Sequence, residues 1–396
     1  MIDFAISFIT YLSVFGVTIV CFSIAEDRSF YNKNSDILGR FLLIIGILIP
    51  CIFAGIRDID VGRDTHNYYY LYEMTVPVAN FEDVLSGIKS ADNELGFKVI
   101  LYVLTRFSNN PFWLLFLYQL LTVVPLVVSV HHLNGAVSLP FAMATYLFCF
   151  FNNSLNIVRQ SAAASFLICG TVILFINPQT DKLKTRFDFK GIICLIISLI
   201  LHKFSFICCA IIIVIYFVSK SNYKNFTKVF LLTAIIAIMV SLPNLLTALN
   251  NYGLLSHSMQ KFADVFVYKT NNSYDYFINP FSQYSLTDIF CRLLLIVPAF
   301  VHIKQDKNTS FNLIRNIVLY GFIIYIVILF MFKSNYGQRI AMDLDMFVII
   351  YIPYAAAYCD NIKSDIKIVE KSAIILYWVI WIMYEGWSAS RIYSIR

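Results

Sequence analysis

Charge is what this sequence has least of. Of 396 residues only 14% are Asp, Glu, Lys or Arg, against 59% apolar, and mean hydropathy is +0.72. An ordinary soluble domain is about a quarter charged. A chain this poor in charge cannot present a solvated surface along its whole length, so most of it is expected to face lipid. No stretch is long enough for a separate water-soluble domain, and residues 1–396 read as a single integral membrane domain. Internal repeats, coiled-coil heptads and low-complexity tails are also missing.

Several chemistries lack their signatures. There is no Walker A loop, no G-x-G-x-x-G, no H-E-x-x-H and no G-x-S-x-G, so nucleotide-driven, zinc-dependent and serine-hydrolase mechanisms have no support. Of the nine cysteines, Cys21, Cys51, Cys149, Cys169, Cys194, Cys208 and Cys209 lie inside apolar runs. With no C-x-x-C and no His at ligand spacing, they read as small buried hydrophobes, and no metal site is expected. The first apolar run, Phe4 to Ile24, is preceded by Asp3 without Lys or Arg and has no A-x-A-like exit. It reads as the first membrane helix instead of a cleaved leader. The net charge of +6 is spread over short loops, which gives no case for nucleic acid.

What is present is a succession of apolar segments. A hydrocarbon layer of roughly 30 Å needs about 20 mainly apolar residues per helix, and candidates fall at 4–24, 39–56, 95–107, 112–131, 137–152, 156–178, 188–201, 204–219, 229–249, 288–303, 316–333, 346–359 and 372–387. The expected fold is all-α, a polytopic transmembrane helical bundle of about 10–13 membrane helices. Three loops are basic: Lys182, Lys184, Arg186 and Lys190; Lys220, Lys224 and Lys228; Lys363, Lys367 and Lys371. The positive-inside rule makes them cytoplasmic. The segment 191–219 must then enter and return, and each arm of about 15 residues gives only about 23 Å of helix. Its tip, His202-Lys203-Phe204-Ser205, is expected at or below the outer surface. Two long polar loops, about 57–94 and 250–287, are assigned to the exterior, as is the N-terminus. For these sides to agree, 95–107, with Lys98 and Arg106, must lie in the interface or be re-entrant.

An ionisable group at membrane depth costs about 3 kcal/mol on insertion scales, so each is a functional candidate. The densest cluster runs Arg57-Asp58-Ile59-Asp60-Val61-Gly62-Arg63-Asp64-Thr65-His66-Asn67-Tyr68, where guanidinium forks suit phosphate and a carboxylate suits proton transfer. The plain alternative is a solvated loop at a helix end. Arg159 opens an apolar helix beside Ala162, Ala163 and Ala164, which permit close packing; alternatively it snorkels to the interface. His202 and Lys203 stand at the hairpin tip amid apolar residues. Arg339 with Asp343 is either a site pair or a simple i,i+4 pair. Glu94, before Gly96-Phe97, and the pair Asp288 and Arg292 are weaker candidates, the acidic residue of that pair being explicable as helix capping. Asp264, Asp275 and the tyrosines of 250–287 suit sugar rings but equally a membrane interface.

These segments, in order, resemble a family. G-I-R-D-I-D-V-G-R-D-T-H-N-Y (Gly55 to Tyr68), N-E-L-G-F-K (Asn93 to Lys98), N-I-V-R-Q-S-A-A (Asn156 to Ala163), L-H-K-F-S (Leu201 to Ser205) and a late Gln338-Arg339 resemble the EpsG-like branch of the Wzy polysaccharide polymerases over most of the chain. The resemblance implies a polytopic glycosyltransferase-like protein. Its implied activity is joining polyprenyl-pyrophosphate-linked oligosaccharide repeat units of O-antigen, capsule or exopolysaccharide at the outer face of the bacterial cytoplasmic membrane. No cofactor is implied; the partners are the lipid-linked oligosaccharide and the bilayer, with a chain-length regulator as a candidate. Carried over, the motifs mark Arg57, Arg63, Asp64, Glu94, Arg159, His202 and Arg339. The expected catalytic set is Asp64, His202, Arg159 and Arg339, with Arg57, Arg63, Tyr68, Glu94, Lys203 and Asp343 binding substrate. Arginines would clamp the departing pyrophosphate while Asp64 or His202 takes the acceptor proton. The competing readings are a flippase for the same lipid-linked sugar, although the repeats and broken helices of transporters are not seen, and a membrane acyltransferase relying on His202.

Overall fold

The computed structural model describes residues 2–30, 36–62, 64–87, 94–180, 182–184, 188–220, 283–301, 309–327, 341–358, 364–383 and 393–394. The fold is an all-α polytopic helical bundle. Among the described residues the only sheet is a two-residue antiparallel pairing of Ile176–Asn177 with Lys182–Leu183.

Four described helices are long and apolar enough to cross a membrane: Asp3–Arg28, Ile37–Gly55, Phe112–His132 and Val158–Phe175. They correspond to α1 (Ile2–Ala25), α2 (Ile37–Gly55), α6 (Phe112–His132) and α9 (Val158–Phe175). Shorter apolar helices surround them, including α7 (Leu139–Cys149), α10 (Phe189–Leu201) and α11 (Ser205–Lys220). Helices α12 (Gln283–Val301), α13 (Thr309–Val327), α14 (Val348–Tyr358) and α15 (Ser364–Met383) complete the described bundle. Three starts differ by five residues or more from the sequence reading: α12 begins at Gln283, not 288, α13 at Thr309, not 316, and α15 at Ser364, not 372. Asp288 is therefore not a cap but sits inside α12, where its carboxylate accepts from Arg292 Nε at 3.0 Å. The segment 229–249 and the loop to 282 lie outside the described residues.

Buried aromatic packing joins α1 to its neighbours. Phe15 meets Phe148, Phe151 and Trp378 edge-on, with ring centroids 5.3, 5.4 and 6.0 Å apart. The seam between α9 and α10 is different, because small residues bring two backbones together. A Cβ on Gly170 would lie 2.6 Å from Leu195 Cδ2 and 3.0 Å from Gly191 O, and one on Gly191 would lie 2.8 Å from Leu174 Cβ. Farther along, Ser198 Oγ donates to Ala163 O at 2.7 Å. Residue 170 meets 191 and 163 meets 198, so the helices run antiparallel in a fixed register that continues to 159 and 202.

Helix ends define two faces of the bundle. At one, a Cβ on Gly55 would strike the Phe112 ring at 2.6 Å, which puts the end of α2 beside the start of α6. Tyr393 N donates to Ser7 Oγ at 2.9 Å and its hydroxyl bonds Phe53 O, so the start of α1 is there too. At the other, Glu26 accepts from Ser138 Oγ at 3.0 Å and from Leu139 N at 2.8 Å, capping α7. His132 lies 3.3 Å from Ile176 O, at the joint ends of α6 and α9.

The segment 57–111 leaves and returns on the first face. Where a long polar loop is expected, α3 (Thr65–Thr75) and α4 (Phe81–Gly87) form, followed by α5 (Leu95–Phe107). Thr65, Tyr68, Tyr69, Tyr72 and Thr75 are buried at helical spacing on α3, a period masked in the sequence by aromatic and polar residues mixed together. Helix α5 is tied to this layer along its length. Lys98 Nζ donates to Leu85 O at 2.9 Å, Tyr102 Oη to Ala79 O at 3.2 Å, and Arg106 Nη2 to Val76 O at 3.1 Å. Tyr72 Oη reaches Ser108 O at 2.8 Å. Both ends of α5 thus lie on the same face, in keeping with an interfacial helix.

Candidate functional site

Three separate segments meet at the foot of the α9–α10 seam. Glu94 precedes α5 in extended conformation and makes no side-chain cap to that helix. Its carboxylate is committed elsewhere: Oε1 to His202 Nδ1 at 2.8 Å and Oε2 to Arg159 Nη1. Arg159 sits in the first turn of α9. His202 is the residue at which α10 ends, extended in backbone, its N–H donating to Ser198 O at 3.0 Å. Side-chain exposure is 8% for Glu94, 6% for His202 and 20% for Arg159, so the group is nearly sealed on the protein side while the guanidinium reaches the edge.

Burial alone would raise the Glu94 carboxyl, but the hydrogen bond from His202 and the Arg159 and His202 charges outweigh it and hold it down to about 2. Glu94 is therefore ionised at neutral pH. The walls are aromatic. The Arg159 guanidinium carbon lies 4.9 Å from the Phe97 ring centroid, Tyr68 and Phe97 meet edge-on at 6.0 Å, and Tyr118 packs on Phe97 at 6.1 Å. The Tyr68 hydroxyl bonds Arg159, and burial, the larger influence, pushes the phenol up. Cation over ring in a desolvated wall is worth roughly 1–2 kcal/mol and fixes the guanidinium plane. Gly96 lets this wall close: a Cβ there would lie 2.7 Å from Ile200 O on α10.

The next residue, Gln160, joins the site to the C-terminal half. Its Nε2 donates to Asp343 Oδ1 at 2.8 Å, and Cys208 Sγ lies 3.7 Å from the other carboxylate oxygen. Asp343 is fully buried. Asp343 stands out in the sequence as a candidate; Gln160, Phe97 and Tyr118 do not. A polar Gln directly after Arg159 in a small apolar helix is the available signal.

Of the other sequence candidates, Arg57 makes its bonds elsewhere. Arg57 is 1% exposed and donates through Nη2 to Leu155 O at 2.7 Å, with Thr65 Oγ1 at 3.4 Å and Tyr69 Oη donating to its carbonyl at 3.1 Å. Burial pulls its guanidinium down to about 10, still charged at neutral pH. Leu155 is near the end of the short helix α8 (Phe151–Asn156), whose last carbonyls have no helical partner. Gly62 approaches the same carbonyl at φ 103°, where a Cβ would be 3.1 Å from Leu155 O. Asp64 is half-buried at the start of α3 and its carbonyl accepts from Tyr68 N at 3.1 Å. Lys203 is half-buried, its Nζ 5.9 Å from the Phe204 ring centroid. Arg63 and Arg339 lie outside the described residues.

Among the described residues no group of three or more His, Cys, Asp or Glu is arranged to hold a metal ion. What the site can do is acid–base and anion chemistry: an imidazole tied to a carboxylate, beside a guanidinium at the edge of the group. No curated protein and no solved structure matches the chain. A family model, that of the EpsG family, matches residues 40–395. With nearly the whole length matched, and Glu94, Arg159 and His202 brought together from three of the segments that carry the likeness, the chain belongs to the EpsG family.

Proposed function

We propose that the protein is a bacterial surface polysaccharide polymerase, joining polyprenyl-pyrophosphate-linked repeat units at the outer face of the cytoplasmic membrane. Membership of a family associated with polysaccharide polymerisation supports this reading. The observation that carries it is the meeting of Glu94, Arg159 and His202 at one point on the face that bears the 57–111 layer. The opposite face bears Lys182, Lys184 and Lys190, which the charge rule assigns to the cytoplasm. On that assignment the Arg159 edge of the site faces the outer headgroup level, where a lipid pyrophosphate resides.

In the reaction, an acceptor sugar oxygen forms a bond to the anomeric carbon of the growing chain as the bond from that carbon to the pyrophosphate breaks. The electron pair leaves on the pyrophosphate of the polyprenyl carrier, and the acceptor proton passes to a base. Arg159 at the rim, with Arg63 and Arg339 as the further sequence candidates, stabilises the departing charge in a low-dielectric site; Arg57, committed to Leu155 O, is left to the fold. Asp64, Tyr68, Lys203 and Asp343 complete the assigned substrate-binding and acid–base set.

A deletion strain tests the reading. Loss of a polymerase leaves single repeat units on the surface lipid, restored to a ladder by the wild-type gene but not by Arg159→Gln. Loss of surface sugar altogether would instead identify a flippase, and intact ladders lacking acyl groups an acyltransferase.

A further inference from the structure

The hydrogen bonds of Glu94 carry more than a charge pairing. An ionised carboxylate only accepts, so the 2.8 Å contact requires the proton on His202 Nδ1. A base acts from the uncharged ring, and in that form Nε2 is a bare acceptor. Nε2 is buried and has no hydrogen-bond partner among the described residues, and an unmet buried acceptor in a native fold needs a reason. The position of the His202 ring is set by its surroundings. Its backbone is held at the end of α10, Phe204 lies 5.4 Å away centroid to centroid, and α10 is fixed against α9 by the Gly170–Gly191 contact.

Resting on the polymerase reading, we infer that Glu94 is a positioning residue that locks His202 with its proton on Nδ1, making Nε2 the acceptor of the sugar hydroxyl proton. As the new glycosidic oxygen–carbon bond forms and the carbon–pyrophosphate bond breaks, that proton moves to Nε2. The resulting imidazolium is stabilised by the carboxylate on its far side, the arrangement by which a base is oriented by a third group. Asp64 is thereby relieved of the base role. The same carboxylate's second oxygen holds Arg159, so one residue sets the spacing between the proton acceptor and the guanidinium that meets the leaving group. Glu94 itself touches no substrate.

The test uses membrane vesicles of the full-length protein and purified lipid-linked repeat units. Glu94→Gln keeps the size and a hydrogen-bond acceptor but loses the charge and the tautomer control. Its turnover should fall by roughly 100-fold or more in kcat, with KM for the lipid-linked unit little changed, a split that a general loss of structure would not give. Wild-type kcat overturns the inference. A second readout does not require any variant to be active: ¹⁵N spectra of wild-type protein labelled at its six histidines, recorded with the ring uncharged and with His202 identified by its absence in folded His202→Asn. A bare Nε2 signal for His202 supports the assignment, and an Nε2–H signal overturns it. If wild-type vesicles make no polymer while the spectrum shows bare Nε2, the polymerase reading fails and the geometry stands.

Discussion

Arg57 Nη2 donates to the carbonyl oxygen of Leu155 at 2.7 Å, across 98 residues of sequence. The bond closes the gap where α8 gives way to α9, and Gly62 crowds the same oxygen. Removing the guanidinium leaves a buried acceptor unmet, at about 1–3 kcal/mol, and adds a cavity the size of a long side chain. Arg57→Ala should therefore lower the amount of folded protein and its melting temperature in detergent, with activity falling in proportion to folded protein. Arg159→Gln, at the edge of the site, gives up a charge but keeps a donor for Glu94, so it should melt less far below wild type than Arg57→Ala while losing polymer formation. Thermal fluorescence-detected size exclusion of both variants checks this; an Arg57→Ala protein as stable as wild type would remove its structural role.

That contrast shows where the sequence is legible and where it is not. The all-α membrane fold follows from charge scarcity and run length, and the hairpin tip at His202 follows from two basic loops flanking a run too short to cross twice. Glu94, Arg159 and His202 can be named because an ionisable residue beside an apolar run is rare. Their joining cannot be read, since it depends on the register of α9 against α10 and on α5 lying along the face. Nor can Arg57 be told from Arg159 by residue type. Both are arginines at helix ends, and only the partner distinguishes a backbone carbonyl at a helix break from a carboxylate tied to an imidazole. Helix α3 escapes a sequence reading because its buried face is mostly tyrosine and threonine, with Leu71 its one buried aliphatic residue.

The Glu94 carboxyl, at about 2 against an ordinary 4.5, links stability to pH. A group held below its unfolded value stabilises the fold fully above that value, and loses the contribution as pH falls toward the folded one. The melting temperature of wild type should exceed that of Glu94→Gln most clearly above pH about 5, and the gap should close progressively as the pH is lowered toward 2. A gap that stays constant from pH 7 to pH 3 would mean that the carboxylate is not held by His202 and Arg159.

Cys169 and Cys194 face each other across the α9–α10 seam with sulfurs 3.9 Å apart. A disulfide needs about 2 Å, a closure within the reach of rotamer adjustment when the Cα atoms are suitably spaced. In a variant retaining only these two of the nine cysteines, a membrane-permeant oxidant should give one intramolecular disulfide, detected as a linked peptide by mass spectrometry. Moving one partner by two positions along α10, as Ile196→Cys in a Cys194→Ala background, turns the thiol to another face and should abolish the link. Equal linking from both positions would mean that the seam does not hold the register that brings residues 159 and 202 together.

Gly96 governs the site from the opposite wall, and its effect separates geometry from stability. The Cβ of an alanine there would lie 2.7 Å from Ile200 O and 2.9 Å from Ile200 Cγ2, and a backbone oxygen yields only if α5 and α10 move apart. Glu94 is two residues before Gly96 and His202 two after Ile200, so the displacement falls directly on the 2.8 Å bond between them. In an exposed helix Gly→Ala is favourable by roughly 0.5–1 kcal/mol, and Gly16 in α1, where an added Cβ would have nothing within 4 Å, is such a site. Gly16→Ala should thus leave polymer length and yield unchanged. Gly96→Ala should cut polymer formation at least about tenfold, the scale expected when catalytic groups shift by about 1 Å, while its melting temperature falls by only a few degrees. Ladders of normal length from Gly96→Ala vesicles would show that the contact between Glu94 and His202 can loosen without consequence for the reaction.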